Sequence, residues 1–344
     1  MRVMYVGSLA PSATSRHRRL AIERLGHQVI DFDTDPYQSR GGRILSAIRV
    51  RTLVGRAIHA LNRDLVAVAQ HHHPDLIWFD KATYVWAKTV KWCRNNGLFT
   101  VHYNIDNPFG PRNDPGWRLL LEALPEYDLH LVQRDINLED YRSAGARDVY
   151  MLRTAYEPTL HFPPPEGWSD TDRPHAVAFI GHPYDKRAQF LTDLWQRHEI
   201  PLKIWGAAWP ALLSPDAKKA LWMGNGVYDD LYRETIWRSR ACLSFVTHSN
   251  CDDVAHKSFE IAACGGFLMA EDTPGHRAHF ADGEEAVLFH SVDDCAEKLR
   301  AYLADETDRS RIATAGRKRC EQSGYGNDAR IGKVIKYIIK NYNL

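Results

Sequence analysis

Lys257, Glu260 and Asp252 combine residue type and spacing in a way that suits chemistry. They lie in and just before the stretch His256-Lys-Ser-Phe-Glu-Ile-Ala-Ala-Cys-Gly-Gly-Phe-Leu-Met-Ala270. The stretch reads as a short helix over 257–264, stopped by Gly265-Gly266 and followed at once by an apolar strand. Lys257 and Glu260, three apart, can share one helix face opposite Phe259, Ile261, Ala262 and Ala263. Asp252 stands eight residues before Glu260. A cation and two carboxylates at the mouth of a buried helix suit a ligand carrying both phosphates and hydroxyls. Glu260 can accept two hydrogen bonds from a cis-diol. It can equally complement the helix dipole or pair with Lys257. Asp252 reads either as a ligand contact or as a polar loop residue capping the helix.

A diphosphate needs positive charge and free backbone N–H groups, which a glycine turn entering a helix supplies. Gly181, at the end of the run Ala176-Val-Ala-Phe-Ile-Gly181, followed by Lys186 and Arg187, fits that need. Together with Lys257 these residues can neutralise a departing diphosphate, so no divalent cation is expected. The alternative for Lys186 and Arg187 is the solvated start of a helix. Trp205-Gly206 closes another strand pattern, where a base can approach the glycine and stack on the indole; a core tryptophan is the alternative.

Earlier in the chain, Gly7 ends the first strand pattern, where its loop can face and bind the phosphate-bearing ligand; no G-x-G-x-x-G follows, which argues against a dinucleotide-binding dehydrogenase. Arg16 and His17 open the next helix and can reach an anionic or hydroxylated acceptor, or form an ordinary basic first turn. Asn104 and Asp106 follow the strand pattern that carries His102. Asp106 can orient or deprotonate an acceptor hydroxyl, or serve as a turn aspartate before Asn-Pro. His71-His-His73 has no acid or cysteine at ligand spacing and is not assigned a metal.

The elements that must position these residues come in two strand-and-helix cycles. Strands are expected at 3–7, 28–32, 76–79, 99–103, 129–132 and 149–152, and a helix near 15–25. A second set is expected at 176–181, 202–205, 241–246, 267–270 and 286–289, with a last helix over about 328–343. This alternation predicts an α/β fold of two doubly wound, Rossmann-like parallel-sheet domains. The boundaries read as 1–156, a Pro-rich linker over 157–175, 176–325, and a C-terminal helical piece over 326–344 that can cross back to the first domain. Residues 40–63 carry six arginines on a helical pattern, which can bind anionic lipid peripherally or form a solvated face.

Length and charge narrow the field further. The 344 residues fit two domains, and a formal charge of +1 gives no reason to expect a nucleic-acid partner. Six scattered cysteines without a C-x-x-C read as reduced thiols, and no apolar run has the length of a membrane span. A cytoplasmic location, at most at the inner membrane face, is the expectation.

Several of these motifs together resemble the GT-B glycosyltransferases, and within them the CgeB-like, spore-maturation-protein-like branch of the retaining family-4 type. The resemblance is strongest in Val177-Ala-Phe-Ile-Gly181 with Lys186-Arg187, Leu202-Lys-Ile-Trp-Gly206, Lys257 to Gly265, and Asp282-Gly283 before 286–289. In the first half it extends to Asp106-Asn-Pro108 and to residues 151–158. It implies a nucleotide-diphosphate-sugar donor, a hydroxyl acceptor of unspecified kind, retention of configuration, and neither metal nor cofactor. In that family a glutamate pair brackets seven residues. Glu260 stands in the second place, which implies ribose binding; Asp252 stands where the first glutamate would contact the sugar. Inversion with Asp106 as base is the rival mechanism. A nucleotide-sugar epimerase or hydrolase of the same fold, or a non-catalytic nucleotide-sugar-binding relative, is the alternative to transfer.

Overall fold

The computed structural model describes residues 1–40, 42–112 and 114–344, with the backbone alone for residues 43–46. The chain divides into two units. One comprises Met1–Thr154 and Asn327–Leu344, the other Ala155–Gly326.

In the first unit the short β-rich runs form β1 (Arg2–Gly7), β2 (Gln28–Asp33), β3 (Leu76–Asp80), β4 (Phe99–Tyr103), β5 (Leu129–Val132) and β6 (Val149–Met151). They pair in parallel in the order β2-β1-β3-β4-β5-β6. Both faces are covered, as a parallel sheet requires. Val3 and Tyr5 of β1 pack into one core, and Met4 and Val6 into the other. The helix Asn327–Tyr342 lays Ile331, Val334, Ile335 and Ile338, a single helical stripe, into the core that holds Val3 and Tyr5. The hydroxyls of Tyr337 and Tyr342 donate to Asp148 at 2.6 and 2.5 Å, fastening its far end.

The basic pattern over 40–63 falls on two helices, Gly42–Thr52 and Arg56–His72. They part at buried Leu53 (φ 55°) and at Gly55 (φ 126°). Arg49 does not belong to the solvent face: it is buried and donates to the carbonyls of Tyr37, Gln38 and Arg40. Arg51 and Arg56 are exposed, as are Ile48, Val50 and Val54.

The second unit holds β7 (His175–Ile180), β8 (Leu202–Trp205), β9 (Trp222–Gly224), β10 (Ser239–Ser244), β11 (Leu268–Glu271) and β12 (Val287–Phe289). Their order is β12-β11-β10-β7-β8-β9, all parallel. Within the unit this is the doubly wound order 3-2-1-4-5-6, and the direction of winding reverses between β7 and β10. The sequence pattern missed β9, whose three residues Trp-Met-Gly show no alternation. It also placed β10 two residues too late. Phe245 and Val246 are apolar enough to continue β10, but their carbonyls accept from the Arg187 guanidinium at 3.3 and 2.9 Å and leave the ladder.

Proline-rich residues 157–175 pack as part of this unit. Arg233 donates to the Leu160 carbonyl and Trp237 to that of Phe162, while the Arg233 guanidinium sits 4.1 Å from the Phe162 ring centre. Glu157 and His161 are buried there.

Candidate functional site

A pocket of about 240 Å³ opens where the winding of the second sheet reverses, outside the carboxyl ends of β7, β8 and β10. Such a switch point is where doubly wound sheets take ligands, because adjacent loops diverge to opposite faces there. Gly181, Arg187, Trp205, Gly206, Asp252 and Lys257 all line it, so one site collects six candidates from four separate stretches of chain.

Its floor depends on a close backbone approach. A Cβ on Gly206 would lie 2.1 Å from the Gly181 carbonyl oxygen, so only glycine fits. Trp209, fully buried, donates its indole N–H to that same carbonyl at 2.7 Å. Trp205 is 8 % exposed and packs in the core edge-on to His175, so most of the indole belongs to the interior and only a margin reaches the pocket.

Arg187 opens the helix Arg187–Gln196 and is 8 % exposed. Its guanidinium donates to the carbonyls of His182, Phe245 and Val246 and to Thr247 Oγ1. It therefore shapes the loop after β10 as well as lining the cavity. Asp185 and Glu271 hold the same loop: Asp185 accepts from the backbone of His248, and Glu271 from that of Val246. Lys186, one residue earlier, is exposed and is not part of the lining.

The helix His256–Ala263 begins one residue earlier than its sequence pattern suggested. Phe259, Ile261, Ala262 and Ala263 face the core, and Gly265 (φ 68°) ends the helix in the left-handed conformation that glycine adopts without strain. Lys257 and Glu260 do not form an ion pair. Lys257 turns to the pocket, its ammonium 4.5 Å from the Tyr232 ring centre, and makes no hydrogen bond or ion pair among the described residues. Burial lowers its pKa, Glu260 opposes the shift, and Arg187 adds to it.

Glu260 lies beneath the lining, 6 % exposed. The Tyr232 hydroxyl donates to its Oε2 at 2.7 Å, and His256 Nε2 stands 2.8 Å from Oε1. His161 Nε2 is 3.7 Å from the same oxygen; its Nδ1 accepts from the Glu157 backbone, which leaves the ring proton on the side facing Glu260. Burial alone would raise the Glu260 pKa, but His256, His161 and Lys257 outweigh it and hold the carboxylate well below its usual value. Asp252 is half-buried at the lining and accepts from the Asn250 amide at 3.2 Å. Its loop is tied down by Thr273, whose hydroxyl donates to the Asp253 carbonyl at 2.5 Å.

Sequence reasoning overlooked several lining residues: His182, Tyr184, Tyr228, Ser244, Thr247 and His256. Tyr184 and Tyr228 are 45 % and 59 % exposed, and an aromatic beside Gly226 in a loop was the available signal for the second. Among the described residues no group of three or more His, Cys, Asp or Glu is placed to hold a metal ion.

The remaining candidates lie in the first unit. Gly7 ends β1 against Asp80 of β3, at that sheet's own reversal of winding. Asp80 is the centre of a buried network the sequence did not announce: Arg18 reaches it at 2.6 and 2.8 Å and the Tyr5 hydroxyl at 2.6 Å. Asp106 pairs with Lys81 at 2.5 Å, and its backbone N–H donates to Asn104 Oδ1. Asn104 is 2 % exposed, His17 is buried, and Arg16 is partly exposed, reaching the Pro11 carbonyl at 3.5 Å. His102 is fully buried inside β4 beside His130.

Two Rossmann-like units of this topology define the GT-B fold, the architecture of a large group of glycosyltransferases. Residues 186–336, somewhat under half of the chain, match the family model described as "Glycosyl transferase-like". Among solved structures, the sucrose-phosphate synthase of Thermosynechococcus elongatus is similar over 100 % of this chain and 99 % of its own, with a TM-score of 0.69 and 13 % identity. Anabaena HepE in complex with UDP-glucose is similar over 98 % and 100 %, with a TM-score of 0.68 and 13 % identity. A glycosyltransferase of Rickettsia africae is similar over 98 % of each chain, with a TM-score of 0.64 and 9 % identity. No curated protein matches the sequence.

Proposed function

We propose that the protein is a glycosyltransferase that binds a nucleotide-diphosphate sugar in the pocket of its second unit and passes the sugar to a hydroxyl acceptor. The observation that carries this reading is Lys257. A lysine at a pocket wall that makes no ion pair among the described residues, beside a buried glutamate that has its own partners, is arranged to meet an anion from outside. The family match over residues 186–336 and the UDP-glucose bound by a structural neighbour support a nucleotide sugar as that anion.

In this reading Gly181, Gly206 and Lys257 take the diphosphate end, with Arg187 holding the loop above it. The margin of Trp205 and the exposed Tyr228 flank the base. Glu260 takes ribose hydroxyls once His256 swings off Oε1, because Tyr232 and His256 already occupy the carboxylate. Asp252 faces the sugar. Transfer proceeds with retention, and lysine charge stands in for a metal at the leaving group. Acceptor recognition is assigned to the first unit, through Arg16, His17, Asn104 and Asp106, with no cofactor required. The exposed Ile48, Val50 and Val54 beside Arg51 and Arg56 would rest on an anionic membrane surface.

The test is thermal unfolding with a panel of nucleoside diphosphates and their sugars. A ligand of the native state raises the midpoint in proportion to the logarithm of its concentration over Kd. If none of the panel raises it, the reading is wrong. Free sugar released at full rate without any acceptor would identify a hydrolase of the same fold instead.

A further inference from the structure

Tyr232 sits on the helix Asp229–Trp237, 5 % exposed and outside the pocket lining, yet it touches both Lys257 and Glu260. The Lys257 ammonium lies over its ring, 4.5 Å from the centre. Its hydroxyl donates to Oε2 of Glu260 at 2.7 Å. The ring is itself held by an edge contact with His161, at 5.8 Å between centres, and by the apolar cluster of Ile236, Phe259 and Cys264.

A lysine and a glutamate three positions apart on a helix are neighbours, and burial strengthens their attraction. Lys257 and Glu260 nevertheless form no ion pair among the described residues, because Tyr232 engages each of them separately. Its ring offers the ammonium a negative face, and its hydroxyl offers the carboxylate a proton. Burial, with Glu260 alongside, raises the Tyr232 pKa well above its ordinary value, so the hydroxyl stays a donor. The two contacts on the carboxylate also differ in how a ligand can reach them. His256, 2.8 Å from Oε1, lines the pocket; Tyr232 does not. A ligand entering the pocket can therefore displace the histidine and leave the tyrosine in place.

We propose that Tyr232 is a positioning residue that keeps Lys257 and Glu260 apart, so that the pocket meets a cation and a separately held carboxylate instead of an ion pair. This rests on the nucleotide-sugar reading above, in which Lys257 takes the diphosphate and Glu260 the ribose. With the ring gone, the flexible lysine stem lets the ammonium turn onto Glu260, and each group cancels the use of the other. With the ring present but the hydroxyl gone, the cation stays in place and the carboxylate loses its fixed end.

Urea unfolding reads the pairing without any ligand. Wild type, Tyr232→Leu and Tyr232→Phe are each compared with the same chain carrying Lys257→Ala. In Tyr232→Leu the lysine reaches Glu260, so removing it should cost about tenfold more in the unfolding constant than removing it from wild type. Tyr232→Phe keeps the ring, controls for folding, and should show the wild-type cost. Equal costs in Tyr232→Leu and wild type overturn the proposal. Calorimetric titration then reads the consequence for binding. Inorganic pyrophosphate should bind Tyr232→Leu roughly tenfold or more weakly than wild type, and adding Lys257→Ala should weaken it no further. Tyr232→Phe should bind pyrophosphate as wild type does. It should lose about tenfold in its preference for UDP-glucose over the analogue lacking both ribose hydroxyls, the size of one hydrogen bond to a charged group. Wild-type affinity for pyrophosphate in Tyr232→Leu, or an undiminished ribose preference in Tyr232→Phe, also overturns the proposal. If the unfolding costs come out as expected and wild type binds neither pyrophosphate nor UDP-glucose, Tyr232 keeps its place between the two residues and the nucleotide-sugar reading falls.

Discussion

Lys257 and Glu260 sit three residues apart on one helix and go to different places, and that divergence can be measured. Lys257 makes no hydrogen bond or ion pair among the described residues, only the Tyr232 ring contact and a share of the charge that keeps Glu260 ionised, so Lys257→Ala should lower the melting temperature by no more than a few degrees. The same change should weaken nucleoside-diphosphate binding about 10- to 100-fold, the range of a charge-assisted hydrogen bond; titration calorimetry reads this directly. Glu260 should behave in the opposite way. Its carboxylate is buried against Tyr232 and His256, so Glu260→Ala leaves buried partners uncompensated and should cost about 3 kcal/mol in urea unfolding. Its pKa is held below the ordinary 4.5, so its contribution is complete above that pH and fades as pH falls toward the folded value. A Glu260→Ala chain as stable as wild type would show that the cluster is not structural.

At the scale of elements, most of the strands could be read from short apolar runs, because a sheet covered on both faces needs continuous hydrophobicity whatever the loops do. What could not be read was how loops bend back onto their own sheet. Phe245 and Val246 look like strand and serve as carbonyl acceptors for Arg187; Arg49 looks like solvent-facing charge and is a buried clasp. In both cases a long-range hydrogen bond, invisible to local pattern, overrides residue character. The site was legible in the same uneven way. Lys257, Gly181 and Gly206 were marked by spacing within a motif, whereas Thr247 acquires meaning only from Arg187, which topology brings to it. The helix pair after β2 yields a further prediction. Reversing Arg51 and Arg56 to glutamate should reduce co-sedimentation with anionic vesicles by roughly tenfold or more, since each basic residue near such a surface contributes about 1 kcal/mol. Neutral vesicles should show no difference, and equal binding of both forms to anionic ones would dismiss the membrane contact.

Across the whole molecule, buried neutral histidines set an acid limit. His130 and His276 have pKa values pulled down to about 4 by burial, and His102 falls well below its ordinary 6.5. Above pH 6.5 these rings are neutral in both folded and unfolded chains and add no slope. As pH falls from 6.5 toward 4 the unfolded chain takes up protons that the folded one refuses. Each ring then removes up to about 1.4 kcal/mol of stability per pH unit. Urea midpoints should therefore drop steadily between pH 6.5 and 5, less steeply in His130→Asn; a flat profile would refute this.

The composition of the first unit has a further consequence, for the order of events during synthesis. Its sheet is finished by Met151, but the core on one face of it stays open until Ile331, Val334, Ile335 and Ile338 have been made. The second unit is one uninterrupted segment, Ala155–Gly326. Domains emerging from a ribosome usually fold in the order they are made. Here the later-made unit can complete itself first, while the earlier one waits with an uncovered apolar face for the last helix to leave the exit tunnel. A released chain ending at Gly326 should accordingly protect the second unit from protease and leave the first cleavable.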